Sequence, residues 1–169
     1  IAVSGGVTLS LPAVTSYTNT TSANSLTRTL QASGSGSTLD LRNVTLVTNG
    51  QNFDTHLAIS AISSGLVNLS KVASIVDPGT GDTRFRTVDI LADGTGSTVN
   101  LAALTSFSDI YAGSSTGDNR YSTVTAKNGG AIQAAALTTL TGVNVVLDGT
   151  GTLPTAQLTT LNSNSALTL

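Results

Sequence analysis

His56 is the only histidine in the chain, and it stands two residues after Asp54 in the stretch Asn52-Phe53-Asp54-Thr55-His56, where a ring, a carboxylate and an imidazole crowd together. A serine joined to that pair would make a Ser-His-Asp arrangement, in which the imidazole takes the hydroxyl proton and the carboxylate orients the imidazole. Serine is so frequent here that the spacing selects no partner. Glycoside-cleaving sites need two carboxylates, one as acid and one as base or nucleophile. Asp77 with Asp82, or Asp109 with Asp118, offer such pairs, but their spacing matches no catalytic pattern, and Asp in Gly-rich turns ordinarily accepts from backbone amides. The turns Asp93-Gly-Thr-Gly and Asp148-Gly-Thr-Gly and the run Asp77-Pro-Gly-Thr-Gly-Asp82 have the look of calcium-binding turns, without the EF-hand loop and its terminal Glu. No catalytic residue and no metal site is assigned. Calcium is the one cofactor these turns leave open, and the chain is expected not to be an enzyme.

A second group of residues points to binding. All six aromatics, Tyr17, Phe53, Phe85, Phe107, Tyr111 and Tyr121, fall within or beside four stretches, about 18–29, 48–58, 76–89 and 108–123. The same stretches hold His56 and most of the Asp and Arg residues. Two of them share a local pattern, Gly81-Asp82-Thr83-Arg84-Phe85-x-Thr87 and Gly117-Asp118-Asn119-Arg120-Tyr121-x-Thr123. Rings flanked by Asp, Asn and Arg suit stacking on sugars and recognition of hydroxyls, and binding residues on repeat scaffolds concentrate on insertions from one face. The binding candidates are therefore Phe53, His56 and Arg84, with Phe85, Tyr111, Arg120 and Tyr121. The plainer expectation is that the rings pack down to anchor the loops while Asp–Arg pairs hold the turns.

What must position these groups is a repeat. A nine-residue pattern, apolar-x-apolar-x-x-apolar-Thr-x-apolar, starts at Leu9, Leu39, Val67, Val99, Ile132 and Leu153, so successive copies lie 30, 28, 32, 33 and 21 residues apart. Upstream of most copies comes an apolar pair and a Gly-rich turn, such as Leu30-Gln31-Ala32 before Gly34 or Ile90-Leu91-Ala92 before Gly94. Alternation with period two reads as strand, and the glycines supply the positive φ of a sharp reversal. The shortest spacing, 21 residues, holds three short strands and three corners but leaves no room for a packed crossover helix. The longer spacings insert their extra residues at one place, after the last apolar position of the motif. Thr after the third apolar position forms one ladder, and Asp40, Asn68, Asn100 and Gln133 form another.

Composition agrees. The chain has 169 residues, 39% of them apolar and 9% charged, so it is too apolar and too weakly charged for disorder. Its nine acidic residues are all Asp, and Cys, Met and Trp are absent. A net charge of −2 leaves no basic face for phosphates, so nucleic acid is excluded as a partner. No stretch is long and apolar enough for a membrane-spanning helix, and no membrane insertion is expected.

The copies STLDLRNVT, STVNLAALTSF, GGAIQAAALTTLTGV and DGTGTLPTAQLTTL resemble the solenoid repeats of very large secreted bacterial surface proteins, including adhesin-like ones. The resemblance covers nearly the whole chain and carries no catalytic residue. It implies an all-β, single-stranded, right-handed parallel β-helix of about six coils, with loop insertions at one corner. The whole chain, 1–169, is expected to be one β-solenoid domain and an excised segment of a longer repeat protein. A leucine-rich-repeat horseshoe shares the apolar spacing but lacks its Asn/Cys landmark here. The function implied is a non-enzymatic structural or adhesion module, extracellular or on the cell surface. A carbohydrate-binding or polysaccharide-degrading β-helix using the loops is the alternative, and ice binding through Thr rows a minor one. Expected partners are surface glycans or neighbouring repeat segments, with end-to-end or side-by-side self-association.

Overall fold

The structure, a computed structural model, describes residues 1–20, 22–111, 120–162 and 165–168, and no described residue is helical. Strands follow one another in threes. β1 (Ala2–Ser4), β2 (Thr8–Ser10) and β3 (Ser16–Thr18) make the first pass, and β4 (Thr27–Ser33), β5 (Thr38–Asp40) and β6 (Leu46–Thr48) the second. β7 (His56–Ile62), β8 (Leu66–Asn68) and β9 (Ser74–Asp77) make the third, and β10 (Thr87–Asp93), β11 (Thr98–Asn100) and β12 (Ser106–Asp109) the fourth. β13 (Ser122–Lys127), β14 (Ala131–Gln133) and β15 (Thr139–Thr141) complete the fifth, followed by β16 (Val143–Leu147), β17 (Thr160–Asn162) and β18 (Ala166–Thr168).

Every strand pairs in parallel with its counterpart one pass away. The result is three sheets, β1-β4-β7-β10-β13-β16-β18, β2-β5-β8-β11-β14 and β3-β6-β9-β12-β15-β17. This is a parallel β-solenoid. Its register never slips across the central passes, so Ala32, Ala61, Ala92 and Ala126 stand in one row. A one-residue slip would turn every apolar side chain outward, and that cost pins the register.

The nine-residue motif builds two walls and the corner between them. In the four central copies every apolar motif position, from Leu39 to Leu140, is at most 1% exposed. At roughly 1.5–3 kcal/mol for each fully buried large side chain, this stacking is the main favourable term against backbone ordering. The motif's corner is closed by an i to i+3 hydrogen bond, Val44 N–H to Leu41 O at 3.0 Å, repeated at Val72, Leu104 and Leu137. Six copies of the motif yield about four full turns. The end coils have a neighbour on one side only, which leaves Leu9 37% and Leu161 49% exposed.

Both predicted rows are in register, with a change of partner in the first and one side-chain link between coils in the second. The Thr45, Thr105, Thr138 and Thr159 hydroxyls donate to the backbone carbonyl of residues 15, 73, 105 and 138 on the preceding coil rather than to one another. In the second ladder Asn68 Nδ2 donates to Asp40 Oδ1 at 3.1 Å.

The corner after the first sheet needs positive φ. Gly34 and Gly94 supply it in their passes, while Ser63 and Ser64 adopt it in the third, at 53° and 69°. A different demand falls on Gly130: a Cβ there would lie 2.3 Å from the Ala92 carbonyl oxygen of the coil beside it. Gly130→Ala is therefore expected to destabilise the protein by about 1–3 kcal/mol through overpacking against rigid backbone, read as a lower urea midpoint.

Candidate functional site

Insertions leave from one corner, between the third sheet and the first, as the sequence indicates. They are shorter than the expected stretches, because the strands of the first sheet already begin at Thr27, His56, Thr87 and Ser122. His56 is thus a strand residue, paired in register with Thr27 on one side and Thr87 on the other. In the fifth pass only Gly142 separates β15 from β16.

A buried polar ladder anchors this corner. Two residues beyond the last apolar motif position stand Asn19, Asn49, Asp77 and Asp109, each at most 4% exposed. Asn19 Nδ2 donates to Asn49 Oδ1 at 2.8 Å, and Asn49 Nδ2 donates to Asp77 Oδ2 at 2.8 Å. Asp109 Oδ2 accepts from the Ser122 hydroxyl at 2.8 Å. The amides also hold the backbone carbonyls of His56 and Thr87, at 3.2 and 3.1 Å, and so fix where the first-sheet strands begin. Arg86, 4% exposed, closes the ladder: Nη2 lies 2.9 Å from Asp77 Oδ1 and donates to the Pro78 carbonyl, while Nη1 donates to the carbonyls of Gly50 and Thr80 at 3.1 and 2.9 Å. The Arg86–Asp77 contact is an ion pair outside hydrogen-bond geometry, and among the described residues neither Asp77 Oδ1 nor Arg86 Nε has a hydrogen-bond partner.

Burial pushes the Asp77 carboxyl up to about 7, against the Asn49 hydrogen bond and the Arg86 charge, with the Asp109 charge adding to the rise. A folded-state value above the ordinary 3.8 means that the folded chain holds this proton more tightly than the unfolded one. The contribution is complete below 3.8 and is lost as pH rises through about 7. The urea midpoint should therefore be higher at about pH 5 than at about pH 8. Asp77→Asn, although less stable overall with Arg86 unpaired, should show a flatter dependence across the same interval.

The loops lean on this ladder and on each other. Ser25 N–H donates to the Phe53 carbonyl at 2.9 Å, Asp54 N–H to Arg84 O at 3.0 Å and Asp82 N–H to Gln51 O at 2.9 Å. Ser25, Asp54 and Phe85, each two residues before its strand, all take positive φ, at 55°, 56° and 61°. For a bulky residue such as Phe85 this is strained backbone. It sets the Phe85 ring edge-on to Phe53, centroids 5.5 Å apart at 87°. Arg84 lies over the Phe53 ring at 5.0 Å and Arg120 over Phe85 at 5.7 Å.

Beside this cluster a groove of about 390 Å³ opens on the outer face of the first sheet, lined by Thr27, His56, Ala58, Thr87, Asp89, Arg120 and Tyr121. A chain of contacts crosses it. Arg120 Nη1 donates to Asp54 Oδ1 at 3.3 Å, and His56 Nε2 stands 2.9 Å from the same oxygen and 3.2 Å from Arg120 Nη1. His56 Nδ1 lies 2.8 Å from Thr87 Oγ1, which donates to Asp89 Oδ2 at 2.7 Å, and Thr123 Oγ1 donates to Asp89 Oδ1 at 2.8 Å. Since the Thr87 proton goes to Asp89, Thr87 can only accept from His56, and Nδ1 carries a proton. Partial burial raises the Asp54 pKa, but hydrogen bonds from His56 and Ser25 and the charges of His56 and Arg120 outweigh it, so the net shift is downward.

This geometry bears on catalysis. An Asp54–His56–Thr87 row exists, but Thr87 is a buried residue whose hydroxyl donates away from the imidazole, and the facing imidazole nitrogen already bears a proton. A general base must be able to take the nucleophile's proton, and His56 is not placed to do so. Among the described residues no group of three or more His, Cys, Asp or Glu side chains is placed to hold a metal. The Asp148 carboxylate of one calcium-like turn accepts from its own turn at Thr150 and Gly151, both at 2.9 Å, and from Asn128 N–H at 2.7 Å.

Of the sequence candidates, His56, Arg120 and Tyr121 meet in the groove. Phe53, Arg84 and Phe85 form the packed cluster next to it, where Arg84 pairs with Asp82 at 2.5 Å. Tyr111, 44% exposed, packs against Gly79 and is not among the groove's lining residues. Asp118 lies outside the described residues. Sequence reasoning missed Thr27 and Asp89, and it named Thr87 as the end of a shared loop pattern and not as a binding candidate. Counting five residues back from the stacked alanines Ala32, Ala61, Ala92 and Ala126 gives Thr27, His56, Thr87 and Tyr121 directly. In comparisons with protein-family models, curated proteins and solved structures, nothing matches this chain.

Proposed function

We propose that the chain is a non-enzymatic structural or adhesion module of a secreted bacterial surface protein. One observation carries this reading: the charged and aromatic groups of the loop corner are turned on one another and on the coil wall, in the Arg84–Phe53–Phe85–Arg120 stack and the Arg86–Asp77 ladder, so that the loop cluster is braced and the open groove lies beside it on the first sheet. A rigid rod with a braced edge suits display and attachment outside the cell. Exposed apolar side chains on the end coils, Val7 and Leu9 at one end and Leu161 and Leu167 at the other, suit contact with neighbouring repeats or a second copy. The test has two arms. Incubation with a panel of plant and bacterial polysaccharides should release no new reducing ends or unsaturated products, and beads coated with the protein should adhere to glycan-coated or protein-coated surfaces. Turnover of any of these polysaccharides by the purified protein would overturn the non-enzymatic reading.

The polysaccharide-degrading alternative is less well supported, because the groove is lined by one carboxylate, Asp89, where glycoside cleavage calls for two. Its binding half gains from the groove.

A further inference from the structure

We infer that the groove on the first sheet is a binding site for an extended stretch of an uncharged, hydroxyl-rich oligosaccharide, which names the ligand class within the adhesion reading and rests on it. Shape comes first. The Thr27, His56, Thr87 and Tyr121 positions stand side by side on β4, β7, β10 and just before β13, so three inter-strand steps of about 4.8 Å give a furrow roughly 14 Å long. With a volume of about 390 Å³, it is large enough for a small ligand and too narrow for a folded partner.

Chemistry comes next. The Tyr121 ring supplies a flat, half-buried wall and Ala58 an apolar patch of floor, the surfaces on which the C–H face of a sugar ring stacks. Asp89 accepts one hydroxyl on each oxygen, from Thr87 and Thr123, and each oxygen keeps acceptor capacity for a further O–H. Thr27 is exposed at the rim.

Charge selects among sugars. Among the described residues that line the groove Arg120 is the one permanent cation, and its guanidinium is already shared between Asp54 Oδ1 at 3.3 Å and the Phe85 face at 5.7 Å, while the His56 imidazole is turned on the same Asp54 oxygen at 2.9 Å. Asp89 is balanced by hydroxyls alone. An acidic sugar would bring a second negative charge to Asp89 and would have to take Arg120 from Asp54, whereas a neutral sugar meets neither cost.

The test is calorimetric titration of the purified protein with gluco-, manno- and galacto-hexasaccharides, against hexagalacturonate and a chitosan hexamer, at low and high salt. Binding of at least one neutral hexamer, insensitive to salt, is expected. Tyr121→Ala and Asp89→Asn should each weaken it at least tenfold, Tyr121→Phe should preserve it, and Lys71→Ala, on the motif corner away from the groove, should leave it unchanged. Far-UV dichroism and urea midpoints confirm that each variant is folded. The proposal is overturned if no neutral hexamer binds, if the acidic or amino-sugar hexamer binds more tightly, or if neither Tyr121→Ala nor Asp89→Asn weakens binding in folded protein. Bead adhesion that survives the two groove variants would sink the groove while sparing the adhesion reading; loss of bead adhesion in wild type would sink that reading itself.

Discussion

Replacing Arg86 by Met should cost about 3–5 kcal/mol at pH 8, the range for breaking a buried ion pair from one side. The Arg86 side chain is 2% exposed and that of its partner Asp77 1%. Removal leaves Asp77 facing Asp109 in the buried ladder with no cation, and frees the carbonyls of Gly50, Pro78 and Thr80, which Arg86 now ties to the coil wall. Acid should soften the effect. Without Arg86 the Asp77 carboxyl rises further, so at pH 5 it is neutral and the uncompensated charge disappears; the loss should then approach that of the freed carbonyls and the lost packing. Arg84→Met, two residues away, is the contrast. That pair with Asp82 is exposed at 56% and 35%, and its removal should cost about 0–1 kcal/mol at either pH. Urea melts of both variants at the two pH values check the prediction. Equal costs for Arg84 and Arg86 would mean that the ladder is not a buried electrostatic unit.

That contrast also shows what a linear reading can and cannot resolve. Arg84 and Arg86 look alike in sequence, since both sit in one insertion beside Phe85 and an Asp-rich turn. Burial separates them, and burial depends on a register that only stacking sets. The solenoid itself was legible because each coil repeats its own evidence: one Leu-x-Leu is ambiguous, but six aligned copies fix strand, corner and inward face together. The polar ladder carries the same kind of signal in Asn19, Asn49, Asp77 and Asp109, at a constant two residues past the motif. The groove was harder. Its walls come from four strands separated by insertions of unequal length, and His56 looked like a loop residue because the insertion before it ends only at its own position. Alignment on the motif alone places the insertions correctly but misplaces their far ends. Alignment on the alanine row of the first sheet restores them and brings Thr87 and Tyr121 beside His56.

Phe107→Ala should cost about 3–5 kcal/mol, and Leu101→Ala or Leu69→Ala about 2–5, through lost transfer energy and the cavity left behind. Phe107 is the largest fully buried side chain, enclosed by Ile75 on one neighbouring coil and Leu140 on the other. Those coils are locked by continuous backbone pairing on both faces, so the wall cannot collapse into the void without breaking register, and the penalty should lie toward the top of its range. The same truncation at Leu161 should cost about 1 kcal/mol or less, because that side chain is 49% exposed and has a coil on one side only. In a stack held by nearest-neighbour contacts, the cost of a core truncation should follow position along the axis more than residue size. Central cavities interrupt contacts in two directions and end cavities in one. Urea unfolding of the two variants measures this. If Leu161→Ala proved as costly as Phe107→Ala, the end coil would have to be covered in solution by another surface, and the protein's oligomeric state would identify it.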